Sequence, residues 1–266
     1  IKVLKKWGGK LIEPKYTKNI SSSSIKKKIY ETGVASSTRL SKLKRLINSK
    51  KIVRFLESHS ALTGKIIENL SHQKKQNLIE FDGMWSSSLT DSTLRAKPDN
   101  QSVDYTSRIS GLSDMLDVTT KPIIFDADNG GRVEHLPFLI KALERAGVSA
   151  VIIEDKVGLK KNSLFKNQIG VKQDTISSFS KKISLVKKVK NSDDFLLAAR
   201  IESFILGKGL KDALQRAYAY SKSGADLIMI HSKSEKPDEI FRFSKIFSKS
   251  KLAKPIIAVP STYSKT

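Results

Sequence analysis

Seven apolar runs of strand length recur along this chain, and amphipathic stretches of helix length separate them. Such alternation is typical of βα units around a parallel sheet, whose strands are apolar because helices cover the sheet. The strands are predicted at residues 52–56, 78–84, 122–126, 149–153, 196–200, 226–230 and 255–259. The helices are predicted at residues 39–50, 61–72, 102–117, 134–146, 174–190, 209–223 and 236–247.

The number of units favours a barrel over an open sheet. Seven regularly spaced βα repeats fit a (β/α)8 TIM-type barrel better than a doubly wound sheet, which usually has fewer strands. We therefore predict an α/β barrel in residues 37–266, with its eighth strand and helix after residue 266. Because the chain starts at Ile1 rather than Met and stops just after an apolar strand, we expect a fragment of a longer protein.

Residues 1–36 do not follow the βα pattern. The segments Gly8–Glu13 and Asn19–Lys26 predict a short strand, a polar turn and a helix start with Ser available as the N-cap. Two interpretations stay open for this stretch. One is a disordered lead-in, and the other is the tail of a separate domain.

Composition excludes several kinds of site. The chain has no Cys, which rules out disulfides, thiolate metal sites and Cys nucleophiles. No apolar run approaches the length of a membrane span, and no charged-then-apolar leader opens the chain. We therefore expect a cytoplasmic protein without a membrane partner.

The chain is strongly basic, with a formal net charge of +23. A basic surface is the electrostatic footprint of nucleic-acid binding. Here, however, the excess is mostly Lys, spread along predicted helices and loops without interleaved aromatic residues or a recognised nucleic-acid motif. We interpret it as a solvated surface that concentrates anionic substrates, and nucleic acid is not an expected partner.

Polar side chains follow five of the predicted strands at the point where each strand ends. In α/β barrels the carboxyl ends of the strands carry the chemistry, so these residues are expected to share one site. They are Trp85-Ser86-Ser87-Ser88-Leu89, Asp126 with Asp128, Glu154, Arg200 with Glu202, and His231-Ser232-Lys233.

The acids among them predict a divalent cation. Mg²⁺ prefers oxygen ligands, keeps several waters and is commonly held by one or two carboxylates. Asp126, Asp128 and Glu154 supply such oxygens from neighbouring strand ends, and Asp99 offers a fourth from a loop. The alternatives are structural: a helix N-cap for the Asp-x-Asp pair, and a salt bridge from Glu154 to Lys156 or Arg200.

The basic residues predict an anionic substrate. The planar fork of Arg200, at the end of a buried strand, suits a carboxylate or a phosphate, unless Arg200 instead forms an internal ion pair with Glu202 or Glu154. His231 either donates to a substrate oxygen or is a satisfied core residue. Gly130-Gly131 and Ser86-Ser87-Ser88 are candidates to present N–H groups and hydroxyls to an anion.

Together these residues predict an Mg²⁺-dependent site for a small oxyacid carrying two or three negative charges, covered by the loop Lys160-Lys161-Asn162-Ser163. A P-loop, a dinucleotide fingerprint and a Ser-His-Asp order are all missing from the sequence. Hydride transfer and ATP-dependent kinase chemistry are therefore not expected.

Five stretches resemble, in order and at compatible spacing, the phosphoenolpyruvate mutase family of the isocitrate lyase superfamily. They are Phe81–Ser92, Asp126–Gly131, Glu154–Lys156 followed by Lys160–Ser163, Ala199–Glu202 and His231–Lys233, and the resemblance covers about residues 38–266. It implies an isomerase that interconverts phosphoenolpyruvate and phosphonopyruvate, the entry to phosphonate biosynthesis. It also implies a homotetramer, a dimer of dimers with terminal helices swapped between subunits.

The resemblance implies a role for each site residue. Asp126 would be the direct Mg²⁺ ligand, with Asp128, Glu154 and Asp99 acting through waters. Trp85 would pack beside the substrate, whose oxygens would be held by Ser87, Ser88, Leu89, Arg200 and His231. Lys160, Asn162 and Ser163 would form a gating loop, in which Asn162 steadies the moving phosphoryl group. Asp99 is the suggested nucleophile, although a loose, metaphosphate-like transfer needs positioning more than a covalent partner.

Two other activities and one further resemblance remain. Lyases of the superfamily carry a Cys in the loop, which this chain lacks, whereas phosphonopyruvate hydrolase shares the metal site but lacks the Lys-x-Asn-Ser loop. The hydrolase is therefore the first alternative, and an inactive barrel acting as a basic binding module is the second. Ser88 stands where relatives often have Gly. Residues 8–13 and 20–26 resemble the end of a cytidylyltransferase-type domain, so residues 1–36 would be its remnant.

Overall fold

The structure is a computed structural model that describes residues 6–9, 21, 23–24, 27, 36–74, 77–158, 160–163, 168 and 170–264. Helices and strands alternate through most of this part of the chain. In chain order they are α1 Ser36–Ser49, β1 Phe55–Glu57, α2 Ala61–Asn69, β2 Ser71–Lys74, β3 Asn77–Glu80, β4 Gly83–Ser86, α3 Ser88–Leu94, α4 Tyr105–Val118, β5 Ile123–Asp126, α5 Leu136–Ala146, β6 Ala150–Glu154, β7 Lys156–Val157, β8 Lys172–Gln173, α6 Ile176–Val189, β9 Leu196–Ile201, α7 Gly209–Ser223, β10 Leu227–Ile230, α8 Asp238–Phe247 and β11 Ile256–Ala258.

Seven of the strands form one curled parallel sheet, a half-barrel. Its strand order is β1-β4-β5-β6-β9-β10-β11, and every neighbouring pair is parallel. Two further antiparallel pairs, β2 with β3 and β7 with β8, lie outside this sheet. The predicted α/β fold and its seven strands are thereby confirmed.

The two faces of the sheet are both apolar but pack against different partners. On β6, Val151 and Ile153 belong to the core between the sheet and the outer helices. Ala150 and Ile152 belong to a second core on the concave side, to which α1 contributes Leu43. Because successive side chains of a strand point to opposite faces, Glu154 continues the concave row of Ala150 and Ile152.

The second sheet strand lies further along the chain than predicted. The run 78–84 was expected to enter the barrel, but residues Asn77–Glu80 pair with Ser71–Lys74 in a hairpin, and the sheet strand is β4. Leu78 is 60% exposed and Ile79 is 40% exposed, so these two apolar residues do not contribute to the core. Helix α2 accordingly ends at Asn69, before the hairpin, instead of at residue 72.

Gly83 permits close contact between β1 and β4, where it lies opposite Phe55. A Cβ atom at this position would lie 2.2 Å from the Phe55 ring and 2.8 Å from the Pro122 carbonyl oxygen. We expect Gly83→Ala to destabilise the protein by at least about 1–3 kcal/mol, because the ring and two strands must move apart. Thermal unfolding measures this loss.

The matched control is Gly111→Ala, in the middle of α4, where the nearest atom to a new Cβ is the flexible end of Arg95 at 3.0 Å. Alanine is the better helix former, so this variant should keep the parent melting temperature or exceed it. Equal melting temperatures for the two variants would contradict the packing argument.

Most of residues 1–36 lie outside the described residues, and the division between a remnant domain and the barrel stays a prediction. Within this stretch, the Ser24 N–H donates to Ser21 Oγ at 3.0 Å and the Ser21 N–H donates to Ser24 Oγ at 2.9 Å. Such reciprocal bonds are those of a helix start.

Among the described residues, no helix has the length and apolar character needed to cross a membrane.

Candidate active site

The carboxyl ends of the sheet strands open into a cavity of about 840 Å³. Of the residues to which the resemblance gives a role, all but one line it: Trp85, Ser87, Ser88, Leu89, Asp99, Asp126, Glu154, Lys160, Asn162, Ser163, Arg200 and His231. The exception, Asp128, lies two residues beyond Asp126 and contacts the lining residue Lys160. The other predicted strand-end residues, Ser86, Glu202, Ser232 and Lys233, are not among the residues that line it. The concave rows of four strands end at Asp126, Glu154, Arg200 and His231, which explains why separate segments meet here.

Asp126 and Asp128 form a buried turn at the end of β5. The Asp128 N–H donates to Asp126 Oδ1 at 2.9 Å, and Asp128 has a φ of 51°, in the left-handed region that Asp tolerates better than most residues. Helix α5 begins only at Leu136, so the alternative of a helix N-cap is wrong. Burial, together with the neighbouring charge of Asp126, raises the pKa of the Asp128 carboxyl.

Two side chains of the segment 160–163 reach the acidic side of the cavity. The Lys160 ammonium contacts Asp128 and the Ser88 hydroxyl, and it lies 2.5 Å from Asp99 Oδ1. The Asn162 amide donates to the other Asp99 oxygen at 2.9 Å. Burial opposes the charge of Lys160, but the surrounding carboxylates outweigh burial and raise its pKa.

Arg200 lies among three buried carboxylates. Its Nε is 2.5 Å from Glu202 Oε1 and 3.6 Å from Glu154 Oε2, and its Nη1 is 3.5 Å from Asp126 Oδ2. The internal ion pairs considered as an alternative to substrate binding are therefore present. Glu154 also lies 3.5 Å from the Lys156 ammonium.

The two glutamates around Arg200 differ in their protonation behaviour. Burial alone would raise the pKa of Glu202, but Arg200 and Lys156 outweigh it and lower the pKa to about 2. Burial raises the pKa of Glu154 to about 8, although Arg200 and Lys156 favour its ionised form. Glu202 is thus ionised at neutral pH and pairs with Arg200. Glu154, by contrast, needs either a proton or a further cation at neutral pH.

The candidate metal ligands on the acidic side of the cavity are all carboxylate oxygen atoms, the kind of ligand that a hard cation prefers. Among the described residues, no three carboxylate or imidazole groups lie close enough together to bind one metal ion directly. Asp126 and its neighbours Asp128, Glu154 and Asp99 therefore fit a cation that keeps most of its water and takes few direct protein ligands.

His231 follows β10 and lines the cavity. The residue is 5% exposed, and neither ring nitrogen has a hydrogen-bond partner among the described residues. It is therefore not a satisfied core histidine. Burial, then the positive charge of Arg200, lowers the pKa of its imidazole to about 4, so the ring is neutral at pH 7.

This shift has a consequence for acid stability. Between about pH 6.5 and pH 4 the unfolded chain binds the proton that folded His231 refuses, so stability falls as pH decreases through this window. The free energy of unfolding should therefore decrease between pH 7.5 and pH 5, and we expect this decrease to be about 2 kcal/mol smaller in His231→Gln than in the parent. Urea unfolding of both proteins at the two pH values measures the difference. An equal fall in both proteins would mean that His231 is protonated in the folded state.

Several of the groups suggested to bind an anion are already bonded within the protein. The Gly130 N–H donates to the Ala127 carbonyl at 2.7 Å, and the Gly131 N–H donates to Asn129 Oδ1 at 2.9 Å. Ser87 caps α3, where its hydroxyl accepts from the Leu89 N–H at 3.1 Å. Side chains rather than these amides therefore supply the positive charge of the cavity.

Sequence reasoning missed Arg108, on α4, which supports the site from behind. It is 2% exposed and donates to Asp91 Oδ2 at 2.9 Å and to the Asp126 carbonyl at 2.6 Å, with its guanidinium 4.2 Å from the centre of the Phe125 ring. A fully buried guanidinium with these partners fixes the end of β5 against α3 and α4. Its only sequence signal is a charged residue on the apolar face of a helix.

Asp155 was also missed, because it points away from the cavity. Its Oδ2 accepts from Tyr220 at 2.8 Å, Gln173 at 2.9 Å and Arg216 at 3.1 Å, and its Oδ1 accepts from the Glu202 N–H at 3.0 Å. Burial raises the pKa of this carboxyl to about 6. The network joins α7 to β8 and to the end of β9.

Comparison with known proteins agrees with this architecture. The profile of the family described as phosphoenolpyruvate phosphomutase matches residues 43–265. The phosphoenolpyruvate phosphomutase of Tetrahymena pyriformis is 35% identical over 232 residues, covering 86% of this chain and 72% of that protein.

Two solved structures are similar over the same region. The phosphoenolpyruvate phosphomutase of Streptomyces platensis subsp. rosaceus is 30% identical with a TM-score of 0.75, covering 85% of this chain and 74% of that one. A phosphonopyruvate hydrolase in complex with oxalate and Mg²⁺ is 27% identical with a TM-score of 0.73, covering 85% of this chain and 74% of that one. From its sequence match and its half-barrel, this chain belongs to the phosphoenolpyruvate phosphomutase family, whose relatives named here are enzymes.

Proposed function

We propose that this protein is a Mg²⁺-dependent phosphoenolpyruvate mutase, an isomerase that interconverts phosphoenolpyruvate and phosphonopyruvate. The observation that carries the proposal is the contact of Lys160 and Asn162 with Asp99. These contacts set a cationic and an amide donor beside the acidic side of the cavity, which Arg200 and His231 also line. A phosphoryl group leaving an oxygen atom needs donors of this kind while it is between acceptors.

The reaction moves the phosphoryl group from the enol oxygen to the terminal carbon, so one O–P bond breaks and one C–P bond forms. Asp126 would hold a Mg²⁺ ion directly, with Asp128, Glu154 and Asp99 as partners through water, and the ion would supply stabilisation of negative charge on the substrate. Arg200 and neutral His231 bind substrate oxygens. Asn162 and Lys160 steady the phosphoryl group, and Asp99 orients both of these side chains.

The remaining predicted residues complete the pocket. Trp85 packs beside the substrate, and Ser87, Ser88 and Leu89 border the end that holds the phosphoryl oxygens. Ser88 already contacts Lys160, which ties α3 to the segment 160–163. At position 88 relatives often carry glycine, and the contact with Lys160 gives the Ser88 hydroxyl a role in the site.

Phosphonopyruvate hydrolysis is the alternative, supported by the similarity to the hydrolase of known structure. The two activities differ in water access: a mutase excludes water while the phosphoryl group is in transit, whereas a hydrolase admits one molecule. Asn162 is buried, and Ser163 is 4% exposed, which favours the mutase. The remaining alternative, a catalytically inactive, basic binding module, does not explain why His231 is buried with both ring nitrogens unpaired or why the acids converge on one cavity.

The deciding experiment follows phosphorus by NMR after phosphonopyruvate and Mg²⁺ are added to the protein. A new phosphoenolpyruvate signal is the expected result. Inorganic phosphate and pyruvate from the outset would establish the hydrolase instead. No turnover, combined with nucleic-acid binding that weakens steeply with salt, would support the binding module.

Three features of the proposal concern the protein beyond its site. They are a role in phosphonate biosynthesis, a homotetramer built as a dimer of dimers, and a cytoplasmic location. Each stays a prediction, as does the cytidylyltransferase remnant in residues 1–36.

A further inference from the structure

Lys156, the third residue of the Glu-Asp-Lys stretch, is not among the residues that line the cavity, yet it is almost completely buried, at 4% exposure. Its ammonium lies 3.5 Å from Glu154 and 3.4 Å from Glu202. A buried lysine of this kind is retained only with such partners, because an unpaired ammonium is costly to bury. The two acids explain why the charge is tolerated but not what it is for.

The remaining contacts of Lys156 are with the segment 160–163. Its ammonium donates to the Lys161 carbonyl oxygen at 2.9 Å and to the Ser163 hydroxyl at 2.7 Å. These two acceptors lie immediately before and immediately after Asn162. Lys156 therefore holds the backbone on both sides of the residue whose amide meets Asp99.

The Ser163 hydroxyl is fully used by this arrangement. It accepts from Lys156 at 2.7 Å and from Arg200 Nη2 at 2.9 Å, and it donates to Glu202 Oε2 at 2.6 Å. A hydroxyl has one donor and two acceptor positions, so none is left for a substrate. Ser163, expected from the sequence to be catalytic, is thus an anchor within the protein.

We infer that Lys156 is a positioning residue that acts through Asn162: it fixes the Lys161 carbonyl and the Ser163 hydroxyl so that the Asn162 amide faces Asp99 and the phosphoryl group. The inference rests on the proposed function for its effect on turnover. The positioning itself is independent of any substrate, and each part has its own test.

The positioning is tested by limited trypsin digestion without substrate. Cleavage of the Lys161–Asn162 bond requires attack on the Lys161 carbonyl, the group that Lys156 holds. In Lys156→Met we expect this bond to be cut at least about tenfold faster, as expected when hydrogen bonds to a charged donor are lost. The internal reference is the Lys251–Leu252 bond, where both residues are exposed and the cleavage rate should not change.

The consequence for turnover is tested by a double-mutant cycle with Asn162→Ala. We expect Lys156→Met to lower kcat about 10–100-fold with KM nearly unchanged, as for other residues that orient a functional group. If Lys156 acts through Asn162, the double variant should be no slower than Asn162→Ala alone. Independent, multiplying losses would overturn the inference.

A second variant covers the case in which Lys156→Met does not fold. Ser163→Ala leaves every charge in place and removes one of the two groups that Lys156 holds. It should therefore also speed cleavage of the Lys161–Asn162 bond and lower kcat, but by less than Lys156→Met does. Unchanged cleavage of the Lys161–Asn162 bond in the folded variants would overturn the positioning role even if the protein is a mutase. Faster cleavage in a protein that makes only phosphate would support the positioning role and reject the mutase.

Discussion

Arg200→Met is expected to lower kcat/KM for phosphonopyruvate by at least about 10²–10³-fold and to destabilise the fold by about 3–5 kcal/mol. Both effects have the same source. The variant keeps an unbranched side chain, although a shorter one, but leaves Glu202, Glu154 and Asp126 buried around an uncharged group, and it removes a donor to Ser163. Steady-state kinetics and urea unfolding measure the two losses.

Arg200→Lys separates charge from geometry. A lysine ammonium restores a positive charge among the three acids but cannot replace the planar fork. This variant should regain much of the stability and little of the turnover. If Arg200→Met kept kcat/KM within tenfold of the parent, Arg200 would be only a structural ion-pair partner, and the substrate would have to bind elsewhere in the cavity.

Asp126→Asn is expected to abolish Mg²⁺ binding and to lower turnover about 10³-fold, since a Lewis acid contributes several kcal/mol and each 1.36 kcal/mol is a factor of ten. The amide oxygen of asparagine can still accept the Asp128 N–H, so the turn is preserved. Calorimetric titration with Mg²⁺ in the presence of oxalate measures binding, and the phosphorus NMR assay measures turnover.

The matched control is Asp114→Asn, which removes an equal charge from an exposed position on α4. It should bind Mg²⁺ and turn over substrate as the parent does. Parent-like Mg²⁺ binding in Asp126→Asn would show that another carboxylate is the direct ligand, and the assignment of Asp126 would be wrong.

The sequence was sufficient to predict which residues share the site because strand ends and side-chain alternation are both local properties. An apolar run that ends in Asp126, Glu154 or Arg200 marks the carboxyl edge of a strand. A parallel sheet brings those edges together whatever the connecting helices contain. The strand-end residues of the site follow from these two rules, whereas Asp99, Lys160 and Asn162 lie in loops and do not.

The same rules do not describe contacts that depend on the folded neighbourhood. Leu78 and Ile79 have the composition of a buried strand, yet they lie in an exposed hairpin because β4 already occupies the sheet position beside β1. Likewise, Ser163 has the spacing of a substrate-binding residue, and only its three partners reveal that its hydroxyl is already used. Position along a chain predicts which residues meet but not which hydrogen bonds they form.

The strand order leaves β1 and β11 each paired with a single neighbour, β4 and β10 respectively, among the strands described here. Phe55 on β1, Ile257 on β11 and Val259 just after it also line the cavity that contains Asp126 and Arg200. The cavity at the strand ends and the open side of the sheet are therefore one continuous space. An extended segment that paired with either edge strand, from this polypeptide or from another, would cover these apolar residues and reduce the volume of the cavity. Closure of the sheet and the size of the ligand that fits are therefore physically linked.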